Sequence, residues 1–527
     1  MCIIQTGYGP IRGVHEGNLY SFMGVPYARP PVGQLRFRPA QKPETWTETL
    51  DCTCPRPMAM QRADETDNPG EPYYTDFFFA GLPKQSEDCL YLNVTTCDLK
   101  GKKPVYMWFH GGALHSGFSY EPEFNPEAFA EKGIVVVSVA QRLNIFGYLS
   151  LPQLDEDRCQ SGNYGLTDQL QAFEWVCENI ANFGGDPDNI TIGGQSGGTT
   201  KSIALAIACH SADAGRVPRR IIVESGIKWR FSFTPKNEAD ENGKAYLTSI
   251  GLDENMSAEE LRRLPAQRLM SKGNRLMPGT MTMNPKLFRY ASVREASEAG
   301  MLDHTDMIVG LNLGEANVPS VQSEDDLMNF WTSMLGSRAD AEELRKTLGE
   351  ELSPADAARL MGTYGLCEDA GPNQSRNLMV AREFAGFIHA RGGPARIYVY
   401  LFTRYPTSAP DDHGPGREWE KLWAWHAGEL WYSFQSLREG VPPVRPWEKA
   451  DFDLAACMND YWTNFMYTGD PSDGPRSVRT AWPECRGSGT YIQLDEAVTV
   501  HDTHFTDSWT RDYVRRAFRF EGKAGES

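Results

Sequence analysis

Six apolar, β-branched runs constrain what this chain can fold into: Val105–Phe109 (VYMWF), Gly133–Ala140 (GIVVVSVA), Asn189–Gly194 (NITIGG), Arg219–Ser225 (RRIIVES), Asp306–Asn312 (DMIVGLN) and Arg396–Phe402 (RIYVYLF). Each is continuous rather than alternating, the pattern of a strand buried on both faces. Helix-length stretches separate them, so the predicted sheet is mostly parallel with helices on both faces, in the α/β class. A chain of 527 residues exceeds the usual simple domain but suits one large α/β unit with insertions. Helical signals dominate over 227–301 and again over 318–378; SAEELRRL (Ser257–Leu264), for example, opens with a Ser-x-x-Glu cap. Both stretches are expected to be helical insertions capping the sheet within a single domain spanning 1–527. The segment Ala59–Gln85, rich in Pro, Gly, Asp and aromatics, predicts a long surface loop in which Tyr73, Tyr74 and Phe77–Phe79 pin it or wall a pocket.

Charge and composition exclude several classes. A formal net charge of -18 opposes binding to nucleic acid or anionic lipid, which need clustered Lys and Arg. No apolar run reaches the roughly 18 residues of a membrane span. The start, MCIIQTGYGPIRG, lacks the basic segment and apolar run of a secretory signal, so a cytoplasmic location is expected. Eleven cysteines, an odd number scattered along the chain, do not indicate a disulfide framework. Cys52-Thr53-Cys54 matches no zinc spacing, and His501 and His504 have no cysteine companions, so no metal is expected.

The most specific motif is Gly194-Gln195-Ser196-Gly197-Gly198. Its serine follows the NITIGG strand and precedes the helical run GGTTKSIALAIACH, the strand-turn-helix context that holds a nucleophilic hydroxyl at the end of a sheet. Around it the chain resembles the type-B carboxylesterase and cholinesterase family of the α/β-hydrolase fold. The resemblance is carried by GVPYARPPVGQLRF (Gly24–Phe37), SEDCLYLNV (Ser86–Val94), the whole approach Gly162–Gly198, and MNDYWTNFMYTGDPS (Met458–Ser472). It implies an ester hydrolase with a small-molecule substrate, an acyl-enzyme intermediate and no cofactor.

Acyl transfer by serine needs a base, a carboxylate to orient it, and donors for the oxyanion. By resemblance the base is His426 in WHAGELWYSF, with His413 as a rival, and the acid is Glu315 in GLNLGEANV. Asp303 and Asp306 precede that strand and fall at its wrong end. The order Ser196, Glu315, His426 is that of the fold. The implied oxyanion donors are the backbone N–H groups of Gly112, Ala113 and Gly197, in a loop where His110 and His115 are expected to support shape. A supporting network maps to Gln195, Ser225 and Glu429.

Two departures bear on substrate. The family commonly has glutamate where this chain has Gln195, and often alanine where it has Gly197. Loss of the negative charge predicts a preference for neutral over quaternary ammonium esters. Relatives also pair the cysteine equivalent to Cys89, for which Cys52 or Cys54 are the candidates here, but free thiols are expected in the cytosol. Lys228 and Arg230 meet an acidic acyl group or lie solvated at the start of an insertion. Two other readings stand beside the esterase: a non-catalytic binding protein of the adhesion type, and the same site acting on amides or carbamates. Oligomeric state is not legible.

Overall fold

The structure, a computed structural model, describes residues 1–61, 83–156, 161–211, 215–227, 231–270, 278–315, 321–335, 337–348, 352–364, 378–404, 424–439, 446–486 and 490–502. His413, His504, Lys228, Arg230 and the aromatic cluster at 73–79 lie outside the described residues. In chain order the strands are β1 (Cys2–Gln5), β2 (Pro10–Glu16), β3 (Leu19–Pro26), β4 (Leu50–Asp51), β5 (Met58–Ala59), β6 (Gln85–Ser86), β7 (Tyr91–Thr96), β8 (Lys103–Phe109), β9 (Val135–Val139), β10 (Gly185–Gln195), β11 (Arg220–Glu224), β12 (Asp306–Asn312), β13 (Ile397–Phe402), β14 (Tyr491–Leu494) and β15 (Thr499–His501).

All but β5 and β6 join one sheet, ordered β1-β2-β3-β7-β9-β8-β10-β11-β12-β13-β14-β15, with β4 on β2. The six apolar runs are β8 to β13, and with β14 they form an unbroken parallel block. Burial explains why they were continuous: β8, β11, β12 and β13 are buried along nearly their whole length. The antiparallel flank β1-β2-β3-β7 is different. In β2 buried and part-exposed residues alternate, so one face is wet and no apolar run marks it in the sequence.

The helices Gly197–Ser211 and Lys449–Thr468 both pack against β8 and β10. Between β11 and β12 stand the helices Lys236–Ser249, Ala258–Arg263, Ala266–Leu269 and Val293–Glu298; between β12 and β13 stand Glu324–Leu335, Arg338–Leu348, Pro354–Tyr364 and Leu378–Ala390. Ser257 caps Ala258–Arg263 as its sequence suggests: its Oγ accepts from Glu260 N, and the Glu260 carboxylate accepts from Ser257 N in return. Such a cap contributes about 1 kcal/mol. The first insertion has an apolar cluster of its own, with Tyr246, Leu247, Leu261 and Leu269 packed against Phe37, Ile145, Phe146 and Leu149. All parallel strands end on one edge, so the segments leaving β8, β10, β11 and β12 converge there, where open α/β sheets place ligands.

Candidate active site

Ser196 sits in the turn between β10 and the helix Gly197–Ser211 with φ 55. That is left-handed backbone, strained for a residue with a Cβ. It is held there by its own N–H, donated to Glu224 O at 3.0 Å, and by its carbonyl, which accepts from Thr199 N at 3.1 Å. Among the described residues seven non-glycine positions have positive φ, and Ala113, Ser196, Ser225 and Ala427 are four of them. Backbone strain is thus concentrated at the sheet edge where the candidate residues meet.

Glu315 leaves β12 three residues after its end. Its Oε1 accepts from Asn312 N at 2.9 Å and from Ser225 Oγ at 3.0 Å, and its Oε2 lies 3.6 Å from His426 Nδ1. The Glu315 side chain is fully buried and that of His426 is 29% exposed, so the imidazole bridges interior and open space. Asn312 ties the acid and base segments together, its amide donating to Trp425 O at 2.7 Å and to the Glu429 carboxylate. Asp306 is the first residue of β12, at the end opposite Glu315, and is bound to Arg396 at 2.8 Å.

Gln195 Nε2 donates to Ser225 Oγ at 2.7 Å and lies 3.4 Å from both ring nitrogens of His426. Ser225, with φ 80, is therefore a relay that accepts from the amide and donates to the Glu315 carboxylate. Glu429 meets Gln195 and Ser225 only through Asn312, whose backbone N–H donates to Glu315 and whose amide donates to the Glu429 carboxylate. Burial, reinforced by Glu315 and Glu224, pushes the Glu429 carboxyl well above the usual carboxylate range, against the hydrogen bond from Asn312. Glu224 is raised to about 8 by burial, against donors from Trp462 Nε1 at 2.8 Å and Ser433 Oγ at 3.3 Å.

The loop after β8 closes the other side. Gly112 has φ 76 and Ala113 φ 52; Ala113 is exposed and Gly112 half-buried. A Cβ on Gly197 would stand 2.1 Å from Ala113 O, and one on Gly198 would stand 2.0 Å from Phe109 O. Glycine at both positions lets the helix N-terminus touch the loop. The hydrogen bonds among the described residues leave the N–H groups of Gly112, Ala113 and Gly197 without a protein acceptor. Three free donors around a serine suit an oxygen that gains negative charge.

His110 lies behind this loop, fully buried and held neutral by that burial; its Nδ1 is 3.0 Å from Gly111 O and its Nε2 2.8 Å from the Gln141 amide. Both ring nitrogens are thus engaged by the loop and by Gln141. Sequence reasoning missed Lys201, Asn312 and Glu224. A lysine inside the small and apolar run GGTTKSIALAIAC was the one visible signal. Among the described residues all nine cysteines, Cys52, Cys54 and Cys89 included, are free, and no helix is long and apolar enough to cross a membrane.

The profile of the Carboxylesterase family matches residues 2–510. The para-nitrobenzyl esterase of Bacillus subtilis is 30% identical over 95% of this chain and 96% of its own. Human neuroligin-2 is 29% identical over 89% of the chain, which spans 61% of that protein. A solved structure of a PNB esterase superposes with a TM-score of 0.73, at 26% identity, over 97% of this chain and 99% of its own. With a matching sheet, a serine elbow and a family profile over nearly its full length, the chain belongs to the carboxylesterase family, as an α/β-hydrolase and a carboxylic ester hydrolase.

Proposed function

We propose that the protein is a serine carboxylesterase working through an acyl-enzyme, with Ser196, His426 and Glu315 as its catalytic groups. His426 Nε2 takes the proton of Ser196 Oγ as the oxygen attacks the ester carbonyl; the Nδ1 side faces Glu315, whose carboxylate orients the ring and stabilises the imidazolium. The N–H groups of Gly112, Ala113 and Gly197 receive the tetrahedral oxyanion, each contributing about 2.7–4 kcal/mol in the transition state. His426 then protonates the leaving alkoxide and activates water for deacylation. The observation that carries this reading is the convergence of a strained serine, a buried carboxylate 3.6 Å from His426 Nδ1, and three unpaired donors on one sheet edge.

The substrate reading is a neutral ester. Gln195 brings an amide rather than a carboxylate against His426, so that position offers no negative charge to a cationic alcohol group. The insertions 227–301 and 318–378 belong to one domain with the sheet, and the free thiols accord with a cytoplasmic location. Labelling with a fluorophosphonate probe and locating the adduct by peptide mass tests the nucleophile. An adduct on Ser196 is expected; labelling elsewhere, or none in active protein, refutes the assignment.

A further inference from the structure

Lys201 takes no part in the chemistry above, yet it is a fully buried cation beside the site. It stands in the helix Gly197–Ser211, and its Nζ donates to His110 O at 2.9 Å and to Gly111 O at 3.3 Å. With the Gln141 amide turned to match its neighbours, the Gln141 oxygen accepts from Lys201 Nζ at 3.2 Å and from His110 Nε2 at 2.8 Å, while its nitrogen donates to Val139 O at 3.2 Å. All three ammonium protons are then used. Among the described residues Lys201 forms no ion pair; Glu121 acts on it only at longer range. A buried charge without a counterion is expensive, so its bonds should serve something other than stability.

What it bonds is the backbone just before the oxyanion donors. The peptide group that carries the Gly111 carbonyl carries the Gly112 N–H at its other end. A cation drawing on that oxygen polarises the whole amide and makes the N–H a stronger donor. The other donors have neutral versions of the same backing: Gly112 O accepts from His115 N at 3.1 Å and Ser116 N at 3.0 Å, behind the Ala113 N–H, and Ser196 O accepts from Thr199 N at 3.1 Å, behind the Gly197 N–H. We propose that Lys201 is a positioning residue of the oxyanion hole, fixing the His110–Gly111 backbone and strengthening the Gly112 N–H toward the developing charge. This rests on the serine esterase reading.

The charged and titratable groups facing Lys201 are His110 and His115, both kept neutral by burial with the lysine adding to the effect, and Glu121, which is raised by burial against a hydrogen bond with Glu123. Burial pulls Lys201 itself down to about 7, against the attraction of Glu121. The ammonium is therefore present below neutrality and lost above it, and the hole weakens as pH rises.

Lys201→Met removes the donors, and Lys201→Gln keeps amide donors without charge. Both are assayed with p-nitrophenyl acetate, a trifluoromethyl ketone that forms a tetrahedral adduct, and a fluorophosphonate. For both, we expect kcat to fall by roughly ten-fold or more with KM little changed, ketone affinity to weaken by a like factor, and the alkaline decline of kcat near pH 7 to disappear. A folded variant with unchanged kcat and ketone affinity overturns the proposal, as does a loss of kcat with ketone affinity intact. If the Met variant does not fold, the Gln variant decides; if neither folds, Lys201→Arg, which keeps the charge and the donors but moves them, decides, and a folded Arg variant with kcat and ketone affinity both unchanged overturns it. Absence of a Ser196 adduct in the unaltered protein instead refutes the esterase site and this inference with it.

Discussion

Replacing Gln195 by glutamate adds one negative charge to the site with little change of side-chain shape. The amide nitrogen lies 2.7 Å from Ser225 Oγ and 3.4 Å from each ring nitrogen of His426, so a carboxylate fits the same space, but the single Ser225 proton, now given to Glu315 Oε1, must then be shared between two carboxylates. A negative charge about 5 Å from a bound quaternary ammonium interacts by roughly 3 kcal/mol at an effective dielectric of 20. If half survives desolvation, about 1.5 kcal/mol remains, or roughly ten-fold in kcat/KM. The assay compares acetylcholine with 3,3-dimethylbutyl acetate, its uncharged isostere, by pH-stat at fixed ionic strength. The unaltered protein should favour the neutral ester, and Gln195→Glu should move the ratio toward the cation about ten-fold. The same charge stabilises the imidazolium, so the acidic limb of the variant's pH profile should rise by about one unit. A cation-preferring unaltered protein, or an active variant with an unchanged ratio, refutes the argument.

Gly197→Ala should reduce kcat by about 100-fold or more with little change in KM, because the new Cβ would stand 2.1 Å from Ala113 O and must push an oxyanion donor away; unaltered kinetics would mean that the loop yields. Ser225→Ala removes the hydroxyl between Gln195 and Glu315; losing one bond to a charged group, about 1.5–3 kcal/mol, should lower kcat by ten-fold or more in steady-state assays while KM holds. Glu224→Gln concerns stability. With its folded pKa raised to about 8 the carboxyl binds more protons folded than unfolded, so its contribution is fully present below about pH 4.5 and is lost as pH rises through 8. Melting curves of the glutamine variant should show a gain on the order of 4–5 kcal/mol at pH 9 relative to the unaltered protein and about 1 kcal/mol or less at pH 5; equal pH dependence of the two proteins would contradict it.

The parallel block was legible because two-sided burial writes continuous apolar runs, as in IYVYLF of β13, every residue of which is buried. The antiparallel flank was not, since a strand such as β2 with one wet face carries polar residues that look like loop. At the site, Ser196 announced itself through local context, whereas Glu315 and His426 came only from resemblance: their approach depends on β12 and on a segment beyond β13, over 100 residues apart. Lys201, Asn312 and Glu224 were hidden for a related reason. Each acts through a backbone carbonyl, a side-chain tie or an indole that no spacing in the sequence brings near.

Strand order also sets how firmly the parts hold one another. The strand before the serine is hydrogen-bonded directly to the strand before the oxyanion loop, with Gly194 paired to Phe109, and glycine contacts lock the two connections together. The strand before Glu315 is separated from the serine's strand by β11, and His426 reaches in from a further segment. On the proposed roles, the nucleophile and the oxyanion donors thus stand on adjacent, directly paired strands, whereas the acid and base are carried by segments further along the sheet, so the expected order of loosening on warming is proton transfer first and oxyanion binding second.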